Sequence, residues 1–300
     1  MEEWRTDIRL GLVVGIGLMV LIFLVDVGLI WLTTERQMIG PGTFAVGLSV
    51  LTSLGLLGLI GYLIYGLADS GYFLDRNAVI IHWGPTEQII PIGDIERVLT
   101  GAEIEGRVRC SGGMWPGHFV GYGEVPDVGG ALFYATVPPK EQIYIVTPGL
   151  AYGISPADHD GFLKALQRRR QMGPTRVVQL SSKRPGFLSW PIWRDRLGLA
   201  LLGAALLALL ALIGLLAFKY PTLPHLVPLH FDAAGKPDRL GPRANIFTIP
   251  LIGLLVFLFN GALGWVVHHR ERVASYLLWG GAVLVQILVW TAAVGVLRHL

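Results

Sequence analysis

Hydrophobic positions in this chain fall into long unbroken runs on both sides of a stretch where they come only in short alternating groups. Ile8 to Leu32 is interrupted by Arg9 and Asp26 alone, and is long enough to cross ~30 Å of hydrocarbon at ~1.5 Å per residue. Similar runs predict spans at about 43–67, 197–218, 246–267 and 274–297. Residues 71–170 break the pattern with polar, strand-like alternation. The chain therefore divides into a two-helix membrane anchor (1–70), a soluble insert (71–170), a basic juxtamembrane linker (171–196) and a three-helix membrane domain (197–300) with a loop at 219–245. The predicted class is a multi-pass α-helical membrane protein of five transmembrane helices carrying an inserted β-rich domain.

Within the insert, Ala78–Trp83, Glu87–Ile92, Ile95–Leu99 and Ala102–Cys110 read as strands, the last of them exposed. Ala131–Val137 and Gln142–Thr147 read as a hairpin across Pro138, Pro139 and Lys140, followed by Leu150–Ile154. Ser111 to Gly130 reads as a long glycine-rich loop whose Met114, Trp115, His118, Phe119 and Tyr122 fold back over the core or meet a partner or lipid surface. Ser155-Pro156-Ala157-Asp158 predicts a helix start with Ser155 as N-cap. Phe162, Leu163 and Leu166 would form its buried stripe, and Arg168, Arg169 and Arg170 suit its C-terminal end.

The strings FLDRNAVIIHWG, IIPIGDIERV and YGISPADHDGFLKAL resemble the opening hairpin, the isoleucine-proline strand and the closing strand and helix of bacterial pleckstrin-homology-like (PH-like) domains of membrane proteins. That resemblance implies a β-rich barrel closed by a C-terminal α-helix and placed in the cytoplasm. A second string, YPTLPHLVPLHFDAAGKPDRLGPR, carries Pro221, Pro224, Pro228, His230, Phe231, Gly235, Pro237 and Asp238 between two apolar runs. It resembles a domain of unknown function found in bacterial membrane proteins, including the SdpI-type immunity and signalling proteins, which implies a loop on the outer side. Arg243 stands where a lysine is expected, and the further helices of an immunity protein of this type are not in this sequence, so the resemblance argues less for immunity than for membership of the wider group.

Composition agrees with the membrane assignment, since 15% charged residues is well below the ~25% of an average soluble domain. The net charge of +3 comes mostly from arginines beside the apolar runs, where topology needs them, so nucleic acid is not an expected partner. One cysteine, Cys110, excludes an internal disulfide. The first run exceeds the ~7–15 residues of a signal-peptide core and predicts an uncleaved anchor. Near helix ends, Arg5, Arg9, Arg76, Lys183, Arg184, Arg194, Arg196, Arg270 and Arg272 fall on one side, against Arg36, Lys219, Lys236, Arg239, Arg243 and Arg298. That excess predicts a plasma (inner) membrane protein with its N-terminus and insert cytoplasmic and its C-terminus outside. Arg168, Arg169, Arg170, Arg176, Lys183, Arg184, Arg194 and Arg196 form a basic strip. Such charges near an anionic leaflet contribute ~1 kcal/mol each, so the strip reads either as headgroup contact or as a topology marker.

No HExxH, Walker loop, GxSxG or paired CxxC occurs, so no catalytic residue and no cofactor is predicted. His225, His230, Asp232 and Asp238 are the best metal candidates, but Pro221, Pro224 and Pro228 oppose the helix that would align the histidines. No metal is expected; His230 and Asp238 are expected to hold a turn around Gly235 and Pro237. Asp26 reads as a functional intramembrane carboxylate or, more simply, as a residue reaching interfacial water. Gly11 and Gly15 would admit a close helix neighbour, and Asn260 and Gln286 would hydrogen-bond between helices. The reading is a non-enzymatic protein that presents a PH-like domain as an assembly, scaffold or lipid-contact subunit. Its expected partners are anionic lipid headgroups and other membrane subunits or copies of itself. The alternatives are SdpI-like immunity or signalling, and a metal-binding or transport activity.

Overall fold

The computed structural model describes residues 1–35, 39–183, 186, 190–231 and 237–299, so Arg184, Asp232 and Gly235 lie outside the described residues. Among the described residues five helices are long and apolar enough to cross a membrane, and the chain packs as two compact units: Met1–Val25 with Ser53–Pro185, and Asp26–Thr52 with Gly186–Leu300.

In the first unit the chain opens with a short strand, β1 (Glu2–Trp4), before helix α1 (Arg9–Thr34). Helix α2 (Pro41–Ala68) starts on a proline, whose missing N–H is harmless in a first turn, and runs almost directly into β2 (Ser70–Leu74). The turn at Asp75, Arg76 and Asn77 leads to β3 (Ala78–Trp83), and β4 (Thr86–Pro91) follows. β1 pairs antiparallel with β2, Glu2 opposite Leu74 and Trp4 opposite Tyr72. Residues before the first span and residues after the second are thus stitched into one ladder, so both lie on the same side of the α1–α2 pair.

The second sheet contains β5 (Arg97–Thr100), β6 (Arg109–Trp115), β7 (His118–Val125), β8 (Gly129–Ala135), β9 (Ile143–Val146) and β10 (Ala151–Ile154), in the order β5-β9-β10-β8-β7-β6. Helix α3 (His159–Met172) follows, and β11 (Ser181–Lys183) completes the first sheet as β1-β2-β3-β4-β11. The two sheets are separate ladders, and no strand pairing among the described residues closes them into a barrel. They share a core of Tyr72, Leu74, Ile81, Ile90, Ile143 and Ile145, covered by Phe162, Ala165 and Leu166 of α3. Trp4 stands edge-on to Phe162 at 5.7 Å. Each fully buried side chain of this size contributes roughly 1.5–3 kcal/mol.

Several expectations are corrected here. Ser111–Gly130 is not a loop: most of it is the β6–β7 hairpin, in register from Arg109 opposite Glu124 to Trp115 opposite His118, and the start of β8. The Ala102–Cys110 strand is displaced, since a 3-10 turn occupies Gly101–Glu103 and β6 begins only at Arg109. β8 and β9 are not hairpin partners; β10 lies between them, parallel to β8 and antiparallel to β9. The prolines at 138 and 139 start a 3-10 turn that steps the chain sideways and leaves that slot open. Ser155 is not the N-cap of α3. Asp158 is, accepting from the Gly161 N–H at 2.9 Å, while Ser155 is buried. Part of the 171–196 linker is β11, paired with β4.

In the second unit, α4 (Arg196–Lys219), α5 (Thr248–Val267) and α6 (Arg272–Arg298) pack together, and β12 (Leu226–Phe231) and β13 (Pro237–Pro242) form an antiparallel hairpin between α4 and α5. Gln286 Nε2 donates to the Gly253 carbonyl at 2.9 Å, joining α6 to α5 as its position suggested. Trp290 Nε1 likewise donates to Ala208 O of α4 at 2.8 Å. Asp26, expected to reach interfacial water, is only 6% exposed.

Candidate functional site

The basic strip is divided by the fold. β2 leaves α2 at Ser70, and at about 3.3 Å per residue its far end, Leu74, lies about 13 Å on. Asp75, Arg76 and Asn77 turn the chain at that far end, and α3 delivers its arginines there. Arg169 pairs with Glu2 at 2.7 Å and Arg170 donates to the carbonyls of Ile95 at 3.0 Å and Glu96 at 3.3 Å. Arg176 stands 3.9 Å from Asp75, while Asn77 Oδ1 accepts from Thr175 N at 2.7 Å. Arg168 is exposed and, among the described residues, hydrogen-bonds the Lys164 carbonyl at 3.4 Å. A cleft of about 490 Å³ opens here, bordered by Met1, Glu2, Asp75, Arg76, Arg168 and Arg169. Lys183 on β11 pairs with Glu87 at 3.3 Å. Arg194 and Arg196 belong to the second unit, at the end of the Pro191–Arg194 turn and the start of α4, and both are exposed.

At the other end of the first unit the β6–β7 tip docks on the membrane helices. Trp115 Nε1 donates to the Gly11 carbonyl in the first turn of α1 at 2.9 Å, and the Trp115 ring lies against Gly15. Gly117, at φ +85°, brings its backbone onto that of Gly11 so closely that a Cβ on either would collide with the other. The glycine pair of α1 is therefore filled from within the chain: Gly11 by the hairpin and Leu67, and Gly15 by Trp115 and Ile64. His118 is fully buried, stacked on Trp115 at 4.1 Å and edge-on to Trp83 at 6.1 Å. The Gly113 carbonyl, 2.7 Å from Nδ1, can only accept, so that nitrogen carries the proton. Burial pushes the imidazole pKa below its usual value, against the pull of that hydrogen bond. Sequence reading missed this contact. Its signal was Trp-Pro-Gly-His at the centre of a glycine-flanked, apolar-rich stretch.

The described part of the 219–245 motif is folded back onto the helix ends. Val227 and Leu223 join Ile246, Leu212, Leu216, Val289 and Val296 in one core. Pro221 is the second residue of a 3-10 turn at Tyr220–Thr222, Pro224 is exposed, and Pro228 is buried opposite Leu240. His230 pairs by backbone with Arg239 and Phe231 with Pro237, with a bulge between, and Asp238 is exposed. Arg243 lies over the Tyr220 ring at 4.8 Å, a contact that uses its planar guanidinium. No group of three or more metal-ligating side chains gathers among the described residues.

A polar cluster that sequence reading did not single out sits where α4 begins and α5 ends. Asp195 caps α4, accepting from Gly198 N at 3.0 Å, and also accepts from the Tyr276 hydroxyl at 2.7 Å. His268 Nε2 stands 3.5 Å away. Burial opposes charge on Asp195, but the Gly198 N–H, the Tyr276 hydroxyl and His268 together outweigh it and hold the carboxyl below the usual range. Trp279, wholly buried, packs on His268 at 5.3 Å. Asp195 lies far from His268 in sequence and carries no motif, so only the packing of the helices unites them.

With this geometry in hand, comparison with family models matches residues 70–170 to the Bacterial PH domain and residues 206–254 to the Domain of unknown function (DUF1648). No curated protein and no solved structure matches the chain. The first match covers the two-sheet insert through α3, and the second runs from α4 across the β12–β13 hairpin into α5. The chain is a multi-pass membrane protein that joins a PH-like domain to this second domain.

Proposed function

We propose that this protein is a non-enzymatic subunit of the plasma (inner) membrane that holds a PH-like barrel-type domain at the cytoplasmic face, as an assembly, scaffold or lipid-contact module of a larger complex. The docking of the insert on its own membrane helices carries this reading. β1 enters its sheet from before α1, β2 leaves directly from α2, and the β6–β7 tip bonds to Gly11. A domain on flexible linkers would sample many orientations; this one presents a fixed surface, as a partner-binding subunit requires. Arg168 and Arg76 at the far end, and β6 as an edge strand of the second sheet, supply charged and main-chain contact groups there. The exposure of Arg194 and Arg196 around the start of α4 supports contact with anionic headgroups.

The test is chemical crosslinking and pull-down from native membranes, with the purified protein also offered to anionic and neutral liposomes. A crosslinked partner or a preference for anionic vesicles is the expected result. A protein that migrates alone and ignores vesicle charge sinks the reading. A second reading, SdpI-like immunity or signalling through the 219–245 loop, rests on the resemblance of the YPTLPHLVPLHFDAAGKPDRLGPR string alone. On that reading, deleting Tyr220 to Arg243 abolishes protection from a toxin or a transcriptional response, and an unchanged phenotype removes it.

A further inference from the structure

His268 is 3% exposed, and neither ring nitrogen has a hydrogen-bond partner among the described residues. Beside it lies an apolar cleft of about 310 Å³ lined by Trp190, Ile192, Trp265, Val266, His268 and His269. Trp190 and Trp193 stand edge-on to Trp265 at 5.4 Å and 5.9 Å, so one wall is a tryptophan cluster of the kind found at membrane interfaces. The cleft sits where α5 ends and α4 begins, at the boundary of the spans.

The Asp195 carboxylate, 3.5 Å from Nε2 without a hydrogen bond, favours the proton on that nitrogen by charge alone. Nδ1 is then a buried acceptor with no donor among the described residues. In sequence the lining is flanked by Arg194, Arg196, Arg270 and Arg272, against Glu271 and an Asp195 already engaged by Gly198 and Tyr276. Apolar walls, one orphan acceptor and four arginines beside the lining in sequence, at a membrane boundary, suit an amphiphile with a negative charge and a hydroxyl.

We propose that this cleft binds one anionic phospholipid with a hydroxylated headgroup: the hydroxyl donates to His268 Nδ1, the phosphate meets the flanking arginines, and the start of an acyl chain lies against Trp190 and Trp265. The volume is at the lower end of the ~300–1,000 Å³ of small-molecule sites, which suits the glycerol region of a lipid rather than a whole molecule. This site deepens the headgroup contact proposed for Arg194 and Arg196 and needs no ligand on the PH-like domain.

The experiment uses the full chain in detergent, with lipid retention read by native mass spectrometry against added phosphatidylglycerol, phosphatidylcholine or inorganic phosphate. One phosphatidylglycerol per chain is expected, held about tenfold more tightly than phosphatidylcholine and not displaced by phosphate. Val266 is 65% exposed, so Val266→Trp fills the cleft without touching the buried cluster. It lowers phosphatidylglycerol retention about tenfold with unchanged helix content and unfolding temperature, and His268→Gln lowers it by a similar factor. Equal binding of the two lipids, or wild-type retention by Val266→Trp, overturns the site. Retention unchanged in His268→Gln overturns the imidazole contact, and displacement by inorganic phosphate assigns the site to a free anion instead.

Discussion

Single side chains in the insert carry unequal weight, and the inequality separates what the sequence made visible from what it hid. Ser155 accepts from Thr136 N at 2.8 Å and shares contacts with Thr6 and Thr136 hydroxyls at 3.2 Å, while Tyr72, whose hydroxyl burial pushes up to about 12, donates to the Tyr134 carbonyl at 2.6 Å. Ser155→Ala strands a buried N–H and is expected to cost ~1–3 kcal/mol. Asp158→Ala removes an exposed cap worth ~1 kcal/mol. Thermal unfolding of the two variants in detergent checks the order, and a larger loss at Asp158 would show that the buried hydroxyl cluster is dispensable. Ser-Pro-Ala-Asp offers two capping residues three apart, and local chemistry favours the serine; only its burial beside Thr6, 149 positions away, reassigns it. His118 sets a pH dependence. Its folded pKa lies below the unfolded ~6.5, so the unfolded chain binds the proton more readily and the contribution to stability is complete only above about pH 6.5. Acidification from about pH 7.5 to 5 should lower the unfolding temperature of the wild type more than that of His118→Phe. Parallel pH profiles would remove the role given to this ring.

At the scale of elements, the helices and the strands β3, β4, β5, β8, β9 and β10 were legible in the sequence, and the β6–β7 hairpin was not. Its glycines at 112, 113, 121 and 123 break the alternation that marks a strand, yet they allow the two strands to approach so closely that side chains at 121 or 123 would strike the facing backbone. The sheet order was equally hidden, because a proline-rich connection between two strands reads as a hairpin until a third strand is seen to fill the gap. Docking of this hairpin is open to test. Trp115→Phe keeps the ring packing but loses the bond to Gly11, a cost of about 1 kcal/mol. Gly117→Ala, at φ +85° and in collision with Gly11, should cost ~2 kcal/mol or more. Hydrogen exchange of β6 and β7 reads both, and Gly117→Ala should accelerate it most. Exchange equal to wild type in both variants would mean that the tip is not held by α1.

For the whole molecule, the pairing of β1 with β2 constrains topology more firmly than charge counting. Nine cations against six is a modest bias, whereas a ladder between Glu2–Trp4 and Tyr72–Leu74 requires the chain to return across the membrane between them. Residues 1–8 gave no strand signal because three residues are too few to show a period, and their partner lies beyond two spans. Given two crossings before the insert and one after it, the β12–β13 hairpin is expected on the opposite face from the insert, with the insert inside. Cysteine labelling decides this. Cys110 is half-buried and burial raises its thiol pKa, so it reacts slowly and can be replaced by serine for background. In that background Lys140→Cys reports the insert and Arg239→Cys reports the β12–β13 hairpin, both being exposed positions. A membrane-impermeant maleimide on intact cells should label Arg239→Cys and reach Lys140→Cys only after lysis. Labelling of Lys140→Cys alone would invert the molecule, moving the PH-like surface outside and removing the cytoplasmic-face proposal. Labelling of both would break the three-crossing path itself, and with it the assignment of α4 as a span.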